Sequence, residues 1–152
     1  MNQAELDHQF MQQAIEQAQL AALEGEVPVG AVLVRDGKVI SRAFNQPIKH
    51  HDPSAHAEML ALRAAAKAEE NYRLPGSTLY VTLEPCTMCA GAILHARVDR
   101  VVYGALDPKT GAAGSVLDVF SSRQINHQTV VEGGIMGEEC GHLLRSFFKE
   151  RR

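Results

Sequence analysis

No stretch of this chain approaches the roughly 18 to 20 apolar residues that a membrane-spanning helix needs. The first nine residues are polar and acidic, and no basic segment followed by an apolar run opens the chain, so nothing there reads as an export signal. A cytoplasmic protein with no membrane partner is expected. Cysteine is scarce, and its three copies are too few and too unevenly spaced for a disulfide framework. Two of them, Cys86 and Cys89, sit three apart, which in a cytosolic chain points to metal or redox chemistry. Cys140 stands alone and reads as a small buried apolar residue. Lysine and arginine are absent from Met1 to Glu26, a span holding five acids, and the whole chain has a formal net charge of -3. That balance excludes a protein that grips nucleic acid by charge alone. The remainder carries 15 bases and 13 acids, and its last eight residues hold Arg145, Lys149, Arg151 and Arg152 against Glu150. Such a helix end suits either phosphates or simple complementation of the helix dipole. Internal repeats, linkers and low-complexity segments are also missing.

What is present suits a globular chain. With 152 residues, 45% of them hydrophobic and 22% charged, a single domain over 1–152 can bury its own core. Apolar residues at helical spacing from Leu6 to Ala22 predict a helix over Ala4 to Leu23, stopped by Gly25 and Pro28. Val29 to Val34 is a continuous Val-rich run, as in a buried strand, and Asp36-Gly37 turns the chain into a second strand, Lys38 to Phe44. Asn45 to Asp52 reads as a polar loop. Asp52-Pro53 looks like an N-cap with proline at the first helical position, opening an alanine-rich helix that runs to about Glu70. Further along come a third strand (Thr78 to Leu83), a third helix opened by Pro85 (Cys86 to about Ala96) and a fourth strand (Val98 to Tyr103). A Gly-rich loop (Asp107 to Ser115), a short fifth strand (Gln128 to Val131) and a last helix (Gly137 to Lys149) complete the chain. Leu143, Leu144, Phe147 and Phe148 form the apolar face of that helix. Strands separated by single helices predict parallel pairing, and the opening hairpin adds an antiparallel pair. The expected fold is α/β, a three-layer α/β/α arrangement of a mixed five-stranded sheet with helices on both faces.

Two fragments carry chemistry: His56-Ala57-Glu58 and Pro85-Cys86-Thr87-Met88-Cys89. Cysteines three apart share one side of a helix, and free N–H groups at a helix start favour their thiolates. His56 supplies a third ligand of the kind zinc prefers. Three protein ligands leave one tetrahedral position open, the mark of a catalytic rather than a structural zinc, and water there ionises near neutral pH. Glu58 need not be a ligand: a carboxylate beside that water can take its proton and pass it to a leaving amine. A lone Cys-x-x-Cys also occurs in redox motifs and structural zinc sites, and Cys140, His50 or His51 could in principle close a fourth position.

Together the His-x-Glu and Pro-Cys-x-x-Cys fragments are the signature of zinc nucleobase deaminases. Over most of its length, from about Phe10 to Arg152, the chain resembles the bacterial tRNA-specific adenosine deaminases of the cytidine deaminase superfamily. The likeness rests on Glu26-Val27-Pro28-Val29-Gly30-Ala31-Val32, Asn45-Gln46-Pro47-Ile48, His51 to Glu58, Leu79 to Cys86, and Asp107 to Ser115. It implies a cytidine-deaminase-like fold, one zinc per subunit and a homodimer whose two subunits both contact the anticodon stem-loop. It also implies a reaction: adenosine at the wobble position (34) of an arginine tRNA with an ACG anticodon becomes inosine. In that reaction a flipped base would be attacked at C6, with Glu58 as catalytic acid and base and His56, Cys86 and Cys89 as metal ligands. By position, Asn45 and the backbone N–H of Ala57 would contact the base, Val29 would be a pocket wall, and Asp107 and Lys109 would line the anticodon. Phe148 or Phe147 could stack on a flanking base. From the residues alone, a turn-forming role is the alternative for Asn45 and Asp107, and Val29 is equally a core residue.

Two rivals remain at this level. A deaminase of a free base or nucleotide, of guanine or cytosine type, would share the zinc site. A non-catalytic zinc module that binds RNA would share the ligands, but it has no need of Glu58.

Overall fold

The computed structural model describes residues 1–151. The chain runs α1 (Gln3–Leu23), β1 (Gly30–Arg35), β2 (Lys38–Phe44), α2 (Pro47–His50), α3 (Ala57–Glu69), β3 (Thr78–Leu83), α4 (Thr87–His95), β4 (Arg100–Ala105), a 3-10 turn (Val119–Ser121), β5 (Val130–Gly133) and α5 (Gly137–Glu150). The strands form one mixed sheet in the order β2-β1-β3-β4-β5. Pairing is antiparallel for β1–β2 and β1–β3, and parallel for β3–β4 and β4–β5. The expected three-layer α/β arrangement is what forms.

Alternation along the strands separates the two faces. Ala31, Leu33, Leu79, Val81, Val101 and Tyr103 pack with α3 and α4, through Ala57, Ala61, Ala65, Ala90 and Ile93. Val32, Val34, Tyr80 and Val102 face the other way, against Phe10, Met11, Ala14 and Ile15 of α1 and Cys140 of α5. Cys140 is thus a core residue across the sheet from Cys86 and Cys89. A side chain at Gly30 would run into the Ala14 carbonyl and the Ala18 amide, so glycine there lets α1 lie directly on β1. Among the described residues no helix is long and apolar enough to cross a membrane.

Several local expectations are corrected. The helix carrying His56 begins at Ala57 rather than Pro53. The Asp52 carboxylate is spent on its own turn, accepting the Ser54 N–H at 2.9 Å and the Ser54 hydroxyl at 2.7 Å. The loop after β2 contains the short helix α2, because the buried Glu26 carboxylate accepts the N–H groups of Ile48 (3.2 Å) and Lys49 (2.9 Å) from a distant part of the chain. The strand β3 follows a helical crossover from β2 but does not pair with it; the two run the same way with β1 between them. The fourth and fifth strands each start two residues later than their apolar runs suggest. On α5, Phe147 is buried and Phe148 is 48% exposed. Successive helical residues lie about 100° apart, so one of the pair turns outward.

Burying α1 also buries a charge. Asp7 takes a paired contact from the Arg100 guanidinium (2.8 and 2.6 Å), the Tyr80 hydroxyl (2.7 Å) and the Gln3 amide (2.9 Å). Burial works against its charge, but these donors prevail and hold the carboxyl below the usual range. Arg100 reaches on to Glu132 of β5 at 2.9 Å, so one network ties α1, β3, β4 and β5 together.

Candidate active site

Every segment of the candidate site leaves the same edge of the sheet. Val29 precedes β1, Asn45 follows β2, Glu84 to Cys86 follow β3 and Asp107 follows β4. The carboxyl ends of parallel strands are the usual place for a ligand crevice in such sheets.

His56 and Cys86 occupy the N-cap positions of α3 and α4, both with extended backbone, and neither side chain caps its helix. The side chains are free for another partner, and the two helix N-termini converge on it. The His56 Nδ1 lies 3.6 Å from the Cys86 Sγ and 3.5 Å from the Cys89 Sγ. A tetrahedral zinc at its usual distances from nitrogen and sulfur puts those atoms about 3.5 to 3.6 Å apart, so the imidazole already stands at the required separation from each sulfur. Among the described residues they are the one group of His, Cys, Asp or Glu side chains assembled closely enough to hold a metal. Neither Cys140, His50 nor His51 joins them as a fourth donor. One nitrogen and two sulfurs are a zinc donor set, and zinc is the cofactor of this site.

Without metal the donors hold one another's protons. The Cys89 thiol and His56 stabilise Cys86 as thiolate, lowering it to about 4. The contact with Cys86, then burial, pushes Cys89 up, and contact with Cys86 raises His56. Zinc needs both sulfurs ionised and the imidazole neutral, so binding must expel protons from Cys89 and, in mild acid, from His56. Affinity should therefore weaken as pH falls, by about tenfold per pH unit for each proton released. Competition titrations with a chelator between pH 6 and 8 check this; an affinity independent of pH would contradict it.

Glu58 sits in the first turn of α3 and is 4% exposed. Burial pushes it up to about 7, while the His56 ring nearby pulls the other way. Asn45 is buried, and its Oδ1 accepts the Ala57 N–H at 3.1 Å. The two expected base contacts are therefore linked to each other. Val29 lies in the core with α3. Asp107 folds its own loop, accepting the Lys109 N–H (3.1 Å), the Thr110 N–H (3.1 Å) and the Thr110 hydroxyl (2.7 Å), and it leaves the Lys109 side chain in solvent. Phe148 projects from α5, outside the metal group, and its ring meets Phe147 edge-on at 5.4 Å. Of the basic C-terminal residues, Arg145 pairs with Glu138, Arg151 stacks on Phe147, Lys149 is exposed, and Arg152 lies outside the described residues.

Sequence reasoning passed over Glu84, which is buried between the sheet and the Asp107 loop. The available signal was an acid ending an apolar strand directly before Pro85-Cys86; a carboxylate placed there must find donors.

The model of the cytidine and deoxycytidylate deaminase zinc-binding region matches residues 4–105. The chain is 53% identical over 150 residues to the tRNA-specific adenosine deaminase of Haemophilus influenzae, covering 98% of this chain and 87% of that one. It is 49% identical over 146 residues to the Bacillus subtilis protein of the same name, covering 96% and 91%. A solved structure from work on A-to-I editing by tRNA:A34 deaminases superposes with a TM-score of 0.86 at 47% identity, covering 90% of this chain and 99% of that one. A zinc donor triad and an adjacent buried acid on this sheet, together with likeness along nearly the whole chain, place the protein in the tRNA-specific adenosine deaminase family of zinc-dependent deaminases.

Proposed function

We propose that this protein converts adenosine to inosine at the wobble position (34) of an arginine tRNA with an ACG anticodon, releasing ammonia. The chemistry is supported by the three-donor site with a buried carboxylic acid beside it and, among the described residues, no fourth side chain in the group. The substrate is supported by the likeness to tRNA-specific adenosine deaminases along nearly the whole chain. When bound, zinc supplies Lewis-acid activation of a water near neutral pH. Glu58 then moves the protons. It takes one from the attacking water and delivers it to the weakly basic purine N1 as oxygen adds to C6. It then takes the remaining proton from that oxygen and hands it to the amine, so the C6–N bond breaks as C6=O forms and ammonia leaves. A carboxyl raised toward neutrality by burial is matched to both directions of transfer. Asn45, anchored by the Ala57 N–H, orients the flipped base, and Val29 closes the apolar side of the pocket. Lys109, on the loop that Asp107 organises, meets the anticodon backbone. The exposed Phe148 ring is available to stack on a flanking base.

The same reading takes residues 1–152 as one deaminase domain, acting in the cytoplasm as a homodimer whose two anticodon stem-loops each touch both subunits. Support for one domain comes from the first and last helices, α1 and α5, which touch each other on one face of a sheet assembled from residues 30 to 133. The test incubates the purified protein with the tRNA and reads the first anticodon base by reverse transcription, where inosine templates cytosine and is therefore read as guanosine. Conversion that disappears on strong chelation is the expected result. Deamination of free guanine or cytosine with none on the stem-loop would replace this reading with a free-base enzyme.

A further inference from the structure

Glu84 is 2% exposed and carries no expected chemical role, yet its carboxylate collects four donors from a single segment. Its Oε1 accepts the Asp107 N–H at 3.0 Å and the Ser115 hydroxyl. Its Oε2 accepts the N–H groups of Ala113 (2.9 Å) and Ser115 (3.1 Å). The backbone continues the attachment: the Glu84 N–H donates to the Ala105 carbonyl at 2.9 Å, and the Ala112 N–H donates to the Pro85 carbonyl at 2.8 Å. Both ends of the 107–115 loop are thus gathered onto one carboxylate that lies two residues before the ligand Cys86. Gly111 fits against it so closely that a side chain there would strike the Glu84 carboxyl and the Asp107 carbonyl. The loop bonds to Glu84 and Pro85, and its Ala112 packs into the core beside the sheet.

From this geometry we infer that Glu84 is a positioning residue, which sets where the loop carrying Asp107 and Lys109 stands relative to the metal ligands. The inference rests on the proposed reading, in which that loop meets the anticodon. The chemistry of the fit is specific. A carboxylate presents acceptors on both oxygens, and every neighbour in the loop is a donor. A glutamine in its place has the same shape but turns an NH2 group toward N–H donors, leaving buried donors face to face. A shift of about 1 Å at a positioning element is enough to cost on the order of a hundredfold in rate, and where the displaced contacts are made equally in ground and transition state the loss shows in KM.

The test compares wild type with Glu84→Gln on the anticodon stem-loop, measuring kcat and KM separately along with zinc content. For Glu84→Gln the expected loss falls on KM, which rises about ten- to hundredfold, while zinc stays bound and kcat drops much less. Gly111→Ala perturbs the same contact from the loop side without changing the carboxylate, and its loss should show the same split. Ser115→Ala removes one donor of four, giving a smaller rise in KM, so it tests the inference even if Glu84→Gln folds poorly. A loss confined to kcat, a loss of zinc, or an unchanged KM in the folded variants would overturn the positioning role. Wild-type protein inactive on the stem-loop would instead overturn the proposed function, which distinguishes the two failures.

Discussion

Glu58→Gln is expected to retain zinc and fold normally while losing about 10²- to 10⁴-fold in kcat for inosine formation. Glutamine keeps the size and a hydrogen-bonding oxygen but cannot carry a proton. The site offers no substitute: the side chain is 4% exposed, so bulk base has little access, and the neighbouring His56, Cys86 and Cys89 side chains are committed as metal ligands. Zinc content measured on the same sample separates proton transfer from metal binding. A variant that turns over within a few-fold of wild type would remove Glu58 from the chemistry and revive the reading of a zinc module that merely binds RNA.

Asp7→Ala should produce a large loss of stability although it lies away from the site. It leaves the Arg100 guanidinium, whose side chain is 15% exposed, with only the half-exposed Glu132 as partner. Breaking a buried ion pair from one side costs about 3–5 kcal/mol. In a chain of this size each kcal/mol moves Tm by about 2–4 °C, so thermal denaturation should shift downward by about 10 °C. The sign of the pH dependence follows from the lowered carboxyl. Its contribution is fully present above the unfolded-state value, about 3.9, and is lost as pH falls through the lower folded value. The gap between wild type and Asp7→Ala should therefore narrow in acid, from about pH 4 downward. A Tm within about 2 °C of wild type at neutral pH would show that the network contributes little. Because the network lies across the sheet from α3 and α4, activity per folded molecule below the transition should hardly change.

Features with a short sequence range were legible. The 3.6-residue period of α1, the Asp36-Gly37 turn between β1 and β2, and Cys86 and Cys89 three apart each depend on near neighbours, and those elements form where the residues place them. The family likeness was legible as well, because its fragments are contiguous runs. What the sequence hid depends on partners far along the chain. The α2 helix exists because Glu26 caps it from more than twenty residues away. Glu84 looked like a strand-end acid because its donors lie at 107, 113 and 115. The antiparallel pairing of β1 with β3 came from a strand inserted between β2 and its crossover partner, which no local pattern encodes. The late start of α3 had a local cause that was misread: Asp52 can cap a helix or close its own turn, and Ser54 decided for the turn.

The central claim is an open metal site, and zinc K-edge X-ray absorption on the zinc-loaded protein tests it most directly. The account predicts two sulfurs at about 2.3 Å and two lighter atoms at about 2.0 to 2.1 Å, one of the latter replaceable by an added small anion, with the spectrum unchanged in Cys140→Ser. A third sulfur, or a shell of four protein donors that no added ligand can enter, would contradict it.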